Sequence, residues 1–180
     1  AFFDVVKDGE MITAAIFFSK SGLSAVRAKV VIDSTGDGDV AFAAGCPIEF
    51  GNADGFCQPM TLCFKLSGVD KSCVPERAEI NRLYAAAKAA GELDCPRENV
   101  LMFDAPDADA FHFNTTRVVL KSAVNAVELS EAEVEGRRQM REVIDFLKRH
   151  VPGFEKALLH SVGHTIGVRE SRRVRGELYQ

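Results

Sequence analysis

Ile32-Asp33-Ser34-Thr35-Gly36-Asp37-Gly38-Asp39-Val40-Ala41 carries an apolar run into a glycine-rich turn and on into an alanine-rich segment. The residues just before it, Ala28-Lys29-Val30-Val31-Ile32, end in three consecutive β-branched side chains. That predicts a strand buried on both faces in the interior of a sheet. Gly36 and Gly38 allow backbone to approach a ligand closely, and a helix opening near Asp39 would aim its N–H groups at that ligand. The plain structural reading of the same loop is a tight turn with Asp39 as the helix N-cap. Asp37 has no such structural role, which makes it the most direct candidate for a polar contact to that ligand.

Upstream, residues 2–6 and 11–18 are apolar runs on either side of Lys7-Asp8-Gly9-Glu10, where Asp-Gly suits a tight hairpin turn. Ser19-Lys20-Ser21-Gly22 is a second turn, followed by a third strand over 25–32. The expected unit is a three-stranded antiparallel meander. Downstream, a short strand is expected over 60–66, and a helix over 76–90 opened by Pro75, with Ile80, Leu83, Tyr84 and Ala87 on one face and Gly91 ending it. Strands are expected at 100–103 and 111–120. Ser130 with Glu133 reads as a capping box for a long helix whose buried stripe is Met140, Val143, Ile144, Leu147 and Val151, stopped by Pro152-Gly153. An extended stretch near 161–168 leads into the basic run Arg169 to Arg175. Strands and helices do not alternate as in a doubly wound parallel sheet, so the fold class is α+β.

The 180 residues are 47% hydrophobic, with 26 acidic against 22 basic side chains and a formal net charge of −4. Nucleic acid is not expected as a partner, because that binding draws on clustered Lys and Arg to release counterions. No apolar run approaches the roughly 20 residues of a membrane-spanning helix, so a soluble, cytoplasmic chain is expected. Cys46, Cys57, Cys63, Cys73 and Cys95 contain no Cys-x-x-Cys pair, and the four histidines form no His-Glu-x-x-His pattern. No metal site is expected, and the thiols read as free and mostly buried.

The central loop formally matches Gly-x-Gly-x-x-Ala over 36–41, but Asp37 and Asp39 would face a pyrophosphate with like charge, and a carboxylate there fits hydroxyls better. It also resembles the Asp-Thr-x-Gly-Ala-Gly-Asp loop of ribokinase-like sugar kinases, which would make Asp39 a base, with Asp37 replacing the small Ala of that pattern. A non-catalytic domain that binds a partner is a further alternative. More extensively, the segment resembles the strand-Ser-Thr-Gly-Asp-Gly-Asp motif that follows a meander near the close of the FAD domain in FAD-dependent oxidoreductases of the two-dinucleotide-binding type. The similarity continues in order through Ala44-Gly45, Pro47, Gln58-Pro59-Met60-Thr61-Leu62 and Asn114-Thr115-Thr116-Arg117-Val118. Glu135-Gly136-Arg137, Pro152-Gly153-Phe154-Glu155 and Gly167-Val168-Arg169-Glu170-Ser171-Arg172-Arg173 complete it.

The resemblance implies FAD as cofactor, hydride or electron transfer to or from a small-molecule substrate, and a division into the end of an FAD-binding domain (1–45) and a substrate domain (46–180). It implies that Thr35 and Gly36 meet the flavin's diphosphate–ribityl region by backbone, that Asp37 accepts a hydrogen bond from a cofactor hydroxyl, and that Gly38 belongs to the same cofactor-binding set. It also implies that Arg117 lines a cavity beside the flavin. With no Gly-x-Gly-x-x-Gly unit ahead of the meander and Ala rather than Met at residue 1, the sequence reads as a fragment, inactive by itself. Arg169, Arg172 and Arg173 follow an apolar stretch, so some are expected to turn inward onto carboxylates. Guanidinium forks there would suit a carboxylate substrate or the anionic edge of reduced flavin. The candidate catalytic residues are Arg117 and Arg169, with a buried salt bridge the plain alternative for Arg117. His112 is expected to point away from Phe111 and Phe113, and Cys46 and Cys57 flank the domain crossing.

Overall fold

The computed structural model describes residues 1–176, which form two compact units. One comprises Ala1–Phe56 with the segment from Ser171 onward, and the other Cys57–Glu170.

The first unit opens with β1 (Phe2–Asp8), β2 (Met11–Ser19) and β3 (Gly22–Val26), the expected antiparallel meander in the order β1-β2-β3. Its turns fall at the two predicted places, with Gly9 at φ 59° and Gly22 at φ 91°. Ala14 and Ala15 pair across to Val6 and Val5 and are the buried positions of β2. A short helix, α1 (Asp39–Ala43), packs against β1, and Lys7 Nζ donates to Ala44 O. β4 (Ile48–Phe50) pairs antiparallel with β9 (Arg172–Val174), so the chain returns to this unit after a long excursion.

The third strand differs from expectation. It ends at Val26, and residues 28–32 join no ladder, leaving Val30 75% and Ile32 83% exposed. A β-branched run favours a place flanked by strands on both sides, but its own residues cannot supply those neighbours. Among the described residues nothing does.

In the second unit β5 (Phe64–Ser67), β6 (Met102–Asp104), β7 (Phe111–Phe113) and β8 (Leu158–Val162) form an antiparallel sheet in the order β6-β7-β5-β8. α2 (Arg77–Ala89) and α3 (Ala126–His150) supply the rest of its core. Phe64 and Phe113 stack at 4.9 Å, and Tyr84 meets Phe146 edge-on at 5.3 Å. Burying each such ring fully contributes about 1.5–3 kcal/mol. Ile80, Tyr84 and Ala87 of α2 are buried as predicted, as are Met140, Val143, Leu147 and Val151, while Ile144 is partly so. No described helix is long and apolar enough to cross a membrane.

The long helix begins earlier than the capping-box reading placed it. Asn125 is the N-cap, its side chain accepting from Val127 N and Glu128 N, and Ser130 lies one turn inside with its hydroxyl donating to Ala126 O. Asn accepts the orphan N–H groups at a helix start as well as Ser does, so two candidate starts five residues apart look alike in sequence. Similarly, only 111–113 of the 111–120 stretch is strand, because the next residues use side chains in place of a ladder, as described below. Of the cysteines only Cys95 is buried; all five are free, and Cys46 and Cys73 are exposed in turns closed onto Ala41 O and Asp70 O.

Candidate functional site

The loop after residue 32 is organised by Asp33. Its Oδ1 accepts from Thr35 N (3.0 Å) and Thr35 Oγ1 (2.8 Å), and its Oδ2 from Ala41 N (2.9 Å). Thr35 Oγ1 in turn accepts from Asp39 N at 2.9 Å. Partial burial pushes the Asp33 carboxyl up, but the donors from Ala41, Thr35 and Val40 together outweigh it and hold the group below the ordinary carboxylate value. Asp33 therefore fixes both ends of the loop, a role the sequence did not announce.

The N-cap of α1 is Gly38 at φ 63°, in the left-handed region, and not Asp39. Asp39 instead pairs with Arg172 (Nη1···Oδ1 2.6 Å), whose guanidinium also lies over the Phe42 ring at 4.3 Å. This is the inward turn onto a carboxylate expected of the basic run. Arg173 makes a looser pair with Glu49 at 3.8 Å. Asp33, Ser34, Gly36, Gly38, Arg172 and Val174 line a cavity of about 390 Å³. In the loop beside it the N–H groups of Gly36, Asp37 and Gly38 and the carboxylate of Asp37 have no hydrogen-bond partner among the described residues. A Cβ placed on Gly36 would meet only open space, so that residue serves φ +85° and leaves its backbone accessible.

The second unit has its own polar cavity, of about 350 Å³, lined among others by Gln58, Thr61, Arg97, Asn114, Arg117 and Arg169. Three extended segments build it. Met60 exchanges backbone hydrogen bonds with Val118 (both 2.9 Å), and Thr61 with Gly167 (3.1 and 2.7 Å). A Cβ on Gly167 would lie 3.0 Å from Thr61 O, which accounts for glycine there. Thr116 Oγ1 accepts from Leu62 N (2.8 Å) and donates to Leu62 O (3.1 Å), while Thr115 Oγ1 does the same with Leu101 N and O. The two threonines thus stitch residues 114–117 to both neighbours by side chain, and Asn114 and Arg117, on either side of them, line the cavity.

Gln139, fully buried on α3, clamps the Arg117 backbone: its Oε1 accepts from Arg117 N at 2.7 Å and its Nε2 donates to Arg117 O at 3.1 Å. Glu135 Oε1 accepts from the same Nε2 at 2.8 Å. A Cβ on Gly136 would stand 3.1 Å from Leu62 Cβ, so glycine lets α3 close on the cavity wall. Arg97 and Gln139 were not singled out in the sequence; the available signal for Gln139 was an amide spaced with Gly136 and Val143 on the apolar face of α3. Arg117 forms no ion pair among the described residues, so the buried salt bridge is not its role. His112 is exposed between buried Phe111 and Phe113, as predicted.

The family model described as FAD dependent oxidoreductase matches residues 1–179. The chain belongs to the FAD-dependent oxidoreductase family. Among solved structures it matches a triple mutant of the flavin-dependent brominase Bmp2 with a TM-score of 0.43 and 16% identity, over 89% of this chain and 36% of that one. The chain thus spans about a third of the length of that structure. No curated protein matches it by sequence. The cofactor of the FAD-dependent oxidoreductases is FAD, and the loop at 35–38 has a donor and acceptor set that fits part of it: accessible N–H donors for diphosphate or ribityl oxygens and a carboxylate acceptor for a hydroxyl.

Proposed function

We propose that this chain carries cofactor- and substrate-binding parts of an FAD-dependent oxidoreductase that transfers hydride or electrons between flavin and a small-molecule substrate. The flavin part is assigned to the first compact unit and the substrate part to the second. In this reading the flavin part comprises residues 1–56 with 171–176, and the substrate part residues 57–170. The observation that carries the proposal is the Thr35–Gly38 loop, held open by Asp33 and presenting unpartnered N–H groups beside an unpartnered carboxylate.

Bound flavin supplies the redox chemistry, and the protein supplies binding, orientation and electrostatics. Thr35 contributes mainly through its hydroxyl, which holds Asp39 N and so fixes the start of α1. Gly36, Asp37 and Gly38 donate backbone N–H groups, and Asp37 accepts from a hydroxyl. In the substrate part Arg117 and Arg169 orient the substrate by charge and fork geometry. Asp39, the base of the sugar-kinase alternative, is engaged in an ion pair with Arg172.

The test is fluorescence quenching of FAD titrated with this chain and with Asp37→Ala. Saturable quenching weakened about tenfold in the variant, equivalent to about 1.4 kcal/mol, is expected. Equal quenching by both proteins, with native circular dichroism, would remove Asp37 from the cofactor site.

A further inference from the structure

Arg97, Arg117 and Arg169 line one cavity whose wall contains no carboxylate among the described residues. None of the three makes an ion pair among the described residues. Three cations brought together repel one another, and a fold leaves them so only where something else answers the charge. The groups around them are engaged structurally. The Arg117 backbone is occupied by Gln139, and Arg97 Nη2 makes only a long contact to Thr116 O at 3.4 Å. Arg97 Nε and Asn114 Oδ1, on two residues that line the cavity, are buried with no hydrogen-bond partner among the described residues. Glu170 Oε2 accepts from the backbone N–H of Gln58, a cavity-lining residue, at 2.8 Å, so a carboxylate borders the site while the three guanidinium groups line it.

We infer that this cavity binds a small molecule carrying two carboxylates, with Arg97, Arg117 and Arg169 as its anion-binding residues and Asn114 as a polar contact. Planar guanidinium forks take carboxylates in paired hydrogen bonds, and three of them lining one cavity suit a ligand with two carboxylates. A cavity of about 350 Å³ is of a size that takes a small molecule. Calling this ligand the substrate rests on the oxidoreductase proposal; its binding here does not.

Isothermal titration of the whole chain with succinate tests the inference, with acetate, inorganic phosphate and FAD as separate titrants. Succinate is expected to bind at one site, with acetate at least about tenfold weaker. Arg117→Lys, which keeps the charge and loses the fork, is expected to weaken succinate by about tenfold to a hundredfold. Arg169→Gln, at an exposed position where folding is not at stake, is expected to weaken it similarly. Absence of succinate binding to natively folded chain, or equal affinity in wild type and Arg169→Gln, would overturn the assignment. So would phosphate binding as tightly as succinate and being displaced by FAD, since the arginines would then serve the cofactor's phosphates. FAD quenching that depends on Asp37 while succinate fails defeats this inference alone; succinate binding while FAD fails defeats the flavin proposal alone.

Discussion

Replacing Gln139 by Met keeps the side-chain volume close to constant and removes only the amide. In the fully buried native site the two amide atoms satisfy Arg117 N–H and Arg117 C=O at 2.7 and 3.1 Å. Met can satisfy neither. Each buried backbone group left without a partner costs about 1–3 kcal/mol, while the near-isosteric swap itself costs under about 1.5 kcal/mol. Glu135 also loses a donor but keeps Arg138, which holds it with Nε at 2.7 Å and Nη2 at 2.6 Å, so its share is small. The expected loss is about 3 kcal/mol. For a domain of this size, with a urea dependence of about 2 kcal/mol per molar, the midpoint falls by roughly 1.5 M. The assay is urea unfolding followed by circular dichroism at 222 nm. That signal is dominated by α2 and α3, both in the unit that contains Gln139. Exchange of the Arg117 amide proton, measured in parallel, should accelerate. A loss below about 1 kcal/mol, or unchanged exchange at Arg117, would refute the clamp.

Thr116→Val, again nearly isosteric, strips the hydroxyl from Leu62 N and O and should cost about 2 kcal/mol or more, whereas Thr116→Ser should cost well under that; a loss in urea melts as large for Thr116→Ser as for Thr116→Val, or larger, would refute the hydroxyl's leading role. Asp33 is held below its ordinary value, so its stabilising contribution is complete above the unfolded value near 3.8 and is lost as pH falls through the lower folded value. Carbon-detected titration of the Asp33 carboxyl should show a midpoint below 3.8, with Ala41 N–H exchange rising as it protonates, and a midpoint at or above 3.8 would contradict the loop geometry.

The meander was legible because its information is local. Asp8-Gly9 and Ser21-Gly22 set turns that only a few flanking residues must answer, and period-two runs do the rest. The faces of α2 and α3 were legible for the same reason. What could not be read depends on residues far apart in sequence. Residues 28–32 look like an interior strand whatever surrounds them, and the choice between Asn125 and Ser130 as helix start rests on packing rather than on cap chemistry. Of the candidate site, the Thr35–Gly38 loop and the arginines at 117 and 169 were visible as charged or glycine-rich departures from their elements. Arg97 and Gln139 were not, since one sits in an irregular stretch and the other looks like a tolerated polar residue until its neighbour across the unit is known.

The pairing of β4 with β9 sets an order of events in folding. Phe50 and Arg172 are partners about 120 residues apart, and closing so long a loop of unfolded chain costs about 4 kcal/mol in entropy. The intervening residues, however, fasten their own two ends, Gln58 to Glu170 and Thr61 to Gly167. Once they have done so, the strands on either side are joined by what behaves as a short tether. The inserted segment is therefore expected to fold first and to act as the template on which the returning strand finds its register, and excised with its ends joined it should persist as a free-standing piece.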